Sequence, residues 1–149
     1  MMFPTRWTTP RKTLAGVMPV IALALTGVTI GAPHAGADDL VLHHVKYTVF
    51  TETPYANAEI YYRDVDPPNF ADYSHNPYVF SPNVEANLGP DQMWTLDVML
   101  ANPEQWAMVT ASSFDAPVTP NFHCVLAVDG NVVKTHQGPK GALCSLRSW

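Results

Sequence analysis

The sequence is poor in charge, in cysteine and in catalytic motifs. Only 14% of its 149 residues are charged, against roughly 25% in ordinary globular domains. Its 8 Lys+Arg are outnumbered by 13 Asp+Glu and form no cluster, so the electrostatic footprint of a nucleic-acid binder is missing. Two Cys are too few for a disulfide-dense miniprotein. There is no His-Glu-x-x-His zinc signature and no Gly-x-Ser-x-Gly elbow of a serine hydrolase. Heptads, internal repeats and low-complexity tracts are absent as well. An apolar fraction of 47% with 11% aromatics excludes a disordered acidic tail.

What is present begins with an asymmetric amino terminus. Residues 1–37 hold Arg6, Arg11 and Lys12 and no acid. An apolar run over residues 14–30 follows, and Ala35-Gly36-Ala37 stands directly before Asp38-Asp39. A charged segment, an apolar segment and a small-x-small triplet are the three parts of a secretory signal peptide, with cleavage expected after Ala37. The competing reading is a retained membrane anchor. Pro19 and Gly27 weaken that reading, and a run of about 17 residues is at the lower limit for spanning. Removing the leader leaves one domain, residues 38–149, with 5 Lys+Arg against 13 Asp+Glu and a formal charge of −8. Export makes the expected location extracellular or in the cell envelope.

Short β-branched and aromatic runs separated by proline and glycine fill that domain. Val45-Lys46-Tyr47-Thr48-Val49 alternates with period two, and Glu59-Ile60-Tyr61-Tyr62 reads as a second strand. Pro77-Tyr78-Val79-Phe80 is an edge-strand candidate, because proline cannot donate to a ladder. Residues 94–100 alternate cleanly, turning Trp94, Leu96, Val98 and Leu100 inward. Residues 106–112 read as a strand, with a helical turn starting at Pro103 as the alternative. Phe122-His123-Cys124-Val125-Leu126-Ala127-Val128 runs into Asp129-Gly130, a tight hairpin signal, and then into Asn131-Val132-Val133-Lys134. Residues 142–146 are a last strand, and residues 64–76 the candidate mobile loop. About seven short strands at this spacing predict an all-β, single antiparallel sandwich.

Two Cys in an exported chain predict one bridge, Cys124–Cys144. In a flat meander turning at Asp129-Gly130 and Pro139-Lys140, both Cys flank about Thr135 from opposite sides. They then lie two strand spacings apart, about 9–10 Å, beyond the roughly 7 Å reach of a disulfide. The last strand is therefore expected to leave the meander, crossing to the facing sheet or pairing elsewhere, with the bridge pinning it there.

Candidate chemistry is sparse. His43, His44, His75, His123 and His136 show no metal-ligand spacing, and a bridged Cys124 offers no thiolate to His123. Asp64, Asp66 and Asp72 could present oxygens to calcium, yet they lack the EF-hand's Gly and terminal Glu, and a solvated acidic turn is the default. No catalytic residue, metal ligand or cofactor is predicted. The informative feature is a run of aromatics, from Tyr55 and Tyr61 to Phe80, interleaved with Asn69, Asn76 and Pro77. Within it Tyr62, Phe70, Tyr73 and Tyr78 are the candidate binding surface, since rings beside amides suit a protein, glycan or lipid partner. Core filling by alternate aromatics is the other reading.

The block Cys124-Val125-Leu126-Ala127-Val128-Asp129-Gly130-Asn131-Val132-Val133, with Gly138, Ala142 and Cys144-Ser145-Leu146, resembles the end of the MmpS family's extracytoplasmic domain. The chain also resembles small secreted mycobacterial proteins without an assigned role. The resemblance implies an immunoglobulin-like β-sandwich with one disulfide in an actinobacterial envelope. MmpS proteins keep an amino-terminal membrane helix and assist MmpL-type lipid and siderophore exporters. Two expectations follow: a secreted, non-enzymatic binding module, or a tethered exporter accessory.

Overall fold

A computed structural model describes residues 39–113 and 117–148. The leader and the expected cleavage site at Ala37 lie outside the described residues. The described residues form eight strands: β1 (His43–Thr51), β2 (Tyr55–Tyr62), β3 (Asn83–Leu88), β4 (Trp94–Leu100), β5 (Met108–Ser112), β6 (Phe122–Val128), β7 (Asn131–Gly138) and β8 (Gly141–Ser145). They form two four-stranded sheets, ordered β4-β1-β6-β7 and β3-β2-β5-β8, and every pairing is antiparallel. The consecutive strands β1 and β2 lie in opposite sheets and pair with β4 and β5. This is how B pairs with E and C with F in immunoglobulin-like sandwiches. Among the described residues no helix is long and apolar enough to cross a membrane.

Period-two alternation builds the core. Val45, Tyr47 and Val49 of β1, Ile60 of β2, Val109 of β5, and Phe122 and Leu126 of β6 are all fully buried between the sheets. The intervening positions face solvent. The β6–β7 hairpin turns as its residues require, with φ of 50° at Asp129 and 81° at Gly130. A bulge between Leu126 and Ala127 shifts its register, so Cys124 lies opposite His136 rather than Thr135.

The crossing of the last strand holds. β8 pairs with β5 in the second sheet, from Met108 opposite Ser145 to Ser112 opposite Gly141. Cys124 and Cys144 are bridged between the sheets with their Cα atoms 6.0 Å apart. Glycine is needed at the corner because a Cβ on Gly141 would stand 2.8 Å from the Ala111 carbonyl oxygen.

Four local expectations change. Residues 77–80 are a 3₁₀ turn, not a strand, with proline at its first helical position. Residues 64–76 are not an irregular loop throughout, since they contain α1 (Phe70–His75). The Asn69 side chain caps α1 by accepting from the Asp72 backbone N–H at 2.9 Å. Both readings of residues 103–112 hold in succession: one turn of helix, α2 (Pro103–Trp106), precedes β5. β3 was not anticipated; it is a short edge strand with only Leu88 fully buried.

Candidate binding surface

The sandwich end where β2 stops carries a stack of cations and rings. Its base is Tyr47, whose buried hydroxyl donates to the Arg63 carbonyl at 2.9 Å and accepts from the Met108 N–H at 3.3 Å. Burial pushes the Tyr47 phenol well above its ordinary range, so it stays neutral and remains a donor. This bond fixes the backbone immediately after β2 and turns the Arg63 side chain inward.

Arg63 is fully buried, a rare position for a cation. Its Nε donates to the Trp106 carbonyl at 3.4 Å and Nη1 to the Phe80 carbonyl. Nη2 has no hydrogen-bond partner among the described residues. The guanidinium carbon lies 4.6 Å from the centroid of Tyr73 and 5.8 Å from that of Trp106. Tyr73 meets Trp106 edge-on at 5.5 Å and Phe70 at 6.1 Å. On the outer side the Arg147 guanidinium covers Phe70 at 4.7 Å. Two arginines thus hold α1 through its rings. Such contacts are worth from about 0.5 kcal/mol in water to about 2 kcal/mol when desolvated.

The four aromatics expected to form one surface separate into distinct environments. Tyr62 packs on Trp94 at 5.4 Å and leans against the core. Tyr73 is inside the stack. Phe70 shows one face to solvent at 49% exposure, while Tyr78 at 76% and Val79 at 63% stand out from the 3₁₀ turn. The same segment therefore contains both core filling and a solvent-facing apolar cap. Tyr55 belongs to the interior, with its ring against Phe122 and its hydroxyl bonded to the Ser113 carbonyl at 2.8 Å. Arg63, Trp106 and Arg147 escaped the sequence reading. The one available signal was Arg63 itself, the sole cation between Lys46 and Lys134.

The acidic and histidine residues have structural employment. The Asp66 carboxylate accepts from the backbone N–H groups of Ala101 and Asn102, and that of Asp72 from the Asn69 amide, so the two bind different parts of the fold. His43 pairs with Asp129 at 2.7 Å, His44 with Asp97 at 2.8 Å and His123 with Glu52 at 2.8 Å. His123 also stacks flat on Phe50, 4.8 Å between centroids. No group of three or more His, Cys, Asp or Glu among the described residues could hold a metal ion.

Similarity to known proteins gives this chain a family. It belongs to the Rv2576c β-sandwich domain family, whose model matches residues 47–144, from the middle of β1 to the second bridged cysteine. The uncharacterized protein Rv2576c of Mycobacterium tuberculosis is 38% identical over 136 residues, covering 91% of this chain and 78% of the relative. The uncharacterized protein Mb2606c of Mycobacterium bovis matches with the same identity and coverage. The mycobacterial kinship and the sandwich thus stand at the level of this family.

Proposed function

We propose that this chain is an exported, non-enzymatic binding module of the cell envelope that presents the α1 cap to a partner protein, glycan or lipid. One observation carries the reading. Phe70, Tyr78 and Val79 are exposed on a short segment that the buried Arg63 fastens to a rigid sandwich. Apolar side chains held in solvent on an ordered scaffold are ready to bind with little ordering cost. The test is capture from cell-envelope extract by the wild-type chain and by a Tyr78→Ala, Val79→Ser variant. Loss of a specific captured species at unchanged melting temperature supports the cap. Equal capture by both chains refutes it.

A second reading is an MmpS-like exporter accessory tethered by its leader. It rests on the resemblance of the Cys124 hairpin and of the spacing to Cys144. The mass of the native amino terminus separates the two, because a chain starting at Asp38 is incompatible with a leader tether.

A further inference from the structure

We propose that the end of the sandwich where β1 begins docks on a lipid bilayer whose headgroups carry no net charge. This rests on the cap reading and names its partner. β1 starts at this end with His43, opposite Leu100 at the close of β4. Val128 and Asn131 face each other here across the Asp129-Gly130 turn. The bond from Tyr47 to the Arg63 carbonyl brings the end of β2, and with it α1 and the 3₁₀ turn, to the same place.

Exposed apolar side chains gather at this end. Of the 13 large hydrophobic residues exposed among the described residues, nine lie here. Three form the arm Leu40-Val41-Leu42 that leads into β1, with Leu40 at 74% exposure. Two are Val132 and Val133, where β7 starts, and four lie between β2 and β3, Tyr78 and Val79 among them. The opposite end shows two, Met93 and Val118. Single exposed hydrophobes are ordinary, but nine drawn to one end from three separate segments mark a surface that meets an apolar partner.

Shape, chain path and charge select the partner. The side chains project from an arm, a hairpin and a 3₁₀ turn, not from one sheet face. A fluid interface moulds to such projections, whereas a protein partner needs a matching shape. The chain preceding the described residues joins at this end. Its apolar run over residues 14–30 stops nine residues before Asp39, a reach of at most about 30 Å, so a leader seated in a membrane delivers this end to the surface. Tyr78 joins an apolar ring to a hydroxyl, a combination suited to headgroup level. Asp39, Asp64, Glu104 and Asp129 are exposed at the same end, and residues 38–149 carry a formal charge of −8. Anionic headgroups are therefore repelled, and lipids without net charge are favoured.

The test places the intact chain with phosphatidylcholine bicelles that contain a nitroxide-bearing phosphatidylcholine, and follows paramagnetic broadening of the amide resonances. Residues 40–42, 78–79 and 132–133 should broaden together, while Met93 and Val118 stay sharp. Replacing part of the phosphatidylcholine by phosphatidylglycerol should weaken the effect. In Tyr78→Ala, Val79→Ser the broadening at Val132 and Val133 should fall about tenfold, as expected when two half-inserted side chains are lost from one docked end. Val118→Ser, at the opposite end, should leave it unchanged. Broadening confined to residues 40–42 is a tether without docking and overturns the proposal. Absent or uniform broadening overturns it as well, as does stronger broadening with phosphatidylglycerol. Should broadening be absent while Tyr78→Ala, Val79→Ser still loses a protein captured from envelope extract, the lipid fails and the cap reading stands.

Discussion

Removing the Arg63 guanidinium should release α1 from the sandwich while leaving the sheets standing. In Arg63→Ala the carbonyls of Trp106 and Phe80 lose a charged donor, at about 1.5–3 kcal/mol for such a bond. The rings of Tyr73 and Trp106 lose a desolvated cation, about 2 kcal/mol. The vacated stem adds a cavity term. Acting in the other direction, the variant no longer keeps a charge out of water whose Nη2 lacks a hydrogen-bond partner, and relief of that kind amounts to several kcal/mol. The balance is a net destabilisation of about 3 kcal/mol, since truncation leaves both carbonyls and both rings unserved. For a domain of this size that lowers the melting temperature by roughly 12 °C.

Arg63→Met distinguishes cation from filler. It keeps most of the stem volume but neither donates nor carries charge. If the guanidinium fastens the cap, amide hydrogen exchange in residues 70–80 accelerates in both variants, and the strands β1 and β6 stay protected. The reasoning is refuted if Arg63→Met melts at or above the wild-type temperature with exchange in residues 70–80 unchanged. That outcome would assign the anchoring to packing of the aliphatic stem alone.

Two further predictions follow from the sheets and their turns. Replacing both Cys124 and Cys144 by Ala opens a loop with a sequence separation of 20 and should cost about 3 kcal/mol in the chain-entropy model; a chemical-denaturation midpoint unchanged by this pair refutes it. Asp129 is held below the ordinary carboxylate range chiefly by its hydrogen bond from His43 and then by the His44 backbone N–H. A depressed folded-state pKa stabilises above the unfolded value of about 3.9, and that contribution is lost as pH falls through the folded value. The melting-temperature gap between wild type and Asp129→Asn should accordingly close as pH falls below about 4, while a gap that widens in acid contradicts the pairing.

Legibility of the fold followed the locality of its causes. β4 and β6 are bounded in the sequence where they are bounded in space, because each alternates without interruption and ends at a turn. The departure of β8 from the meander was legible for a different reason: two bridged cysteines 20 residues apart impose a distance limit that a flat meander cannot satisfy. β3 was not legible. Asn83-Val84-Glu85-Ala86-Asn87-Leu88 has few β-formers and owes its strand to pairing with β2, a tertiary override of weak local preference. α1 left a faint local signal in Asn69 and Asp72, spaced as a cap and its third residue, which the surrounding prolines and rings obscured. Arg63 left none of its environment in the sequence. Its ring partners are 10 and 43 positions away, and composition alone sends an arginine to the surface. The candidate surface is therefore the part of this molecule least accessible from local pattern, since a cation becomes interior only when α1, the 3₁₀ turn and α2 close over it together. That dependence explains why the same aromatic segment divides in two: the rings that meet Arg63 are the ones the sandwich retains, and Tyr78 and Val79, beyond its reach, stay exposed.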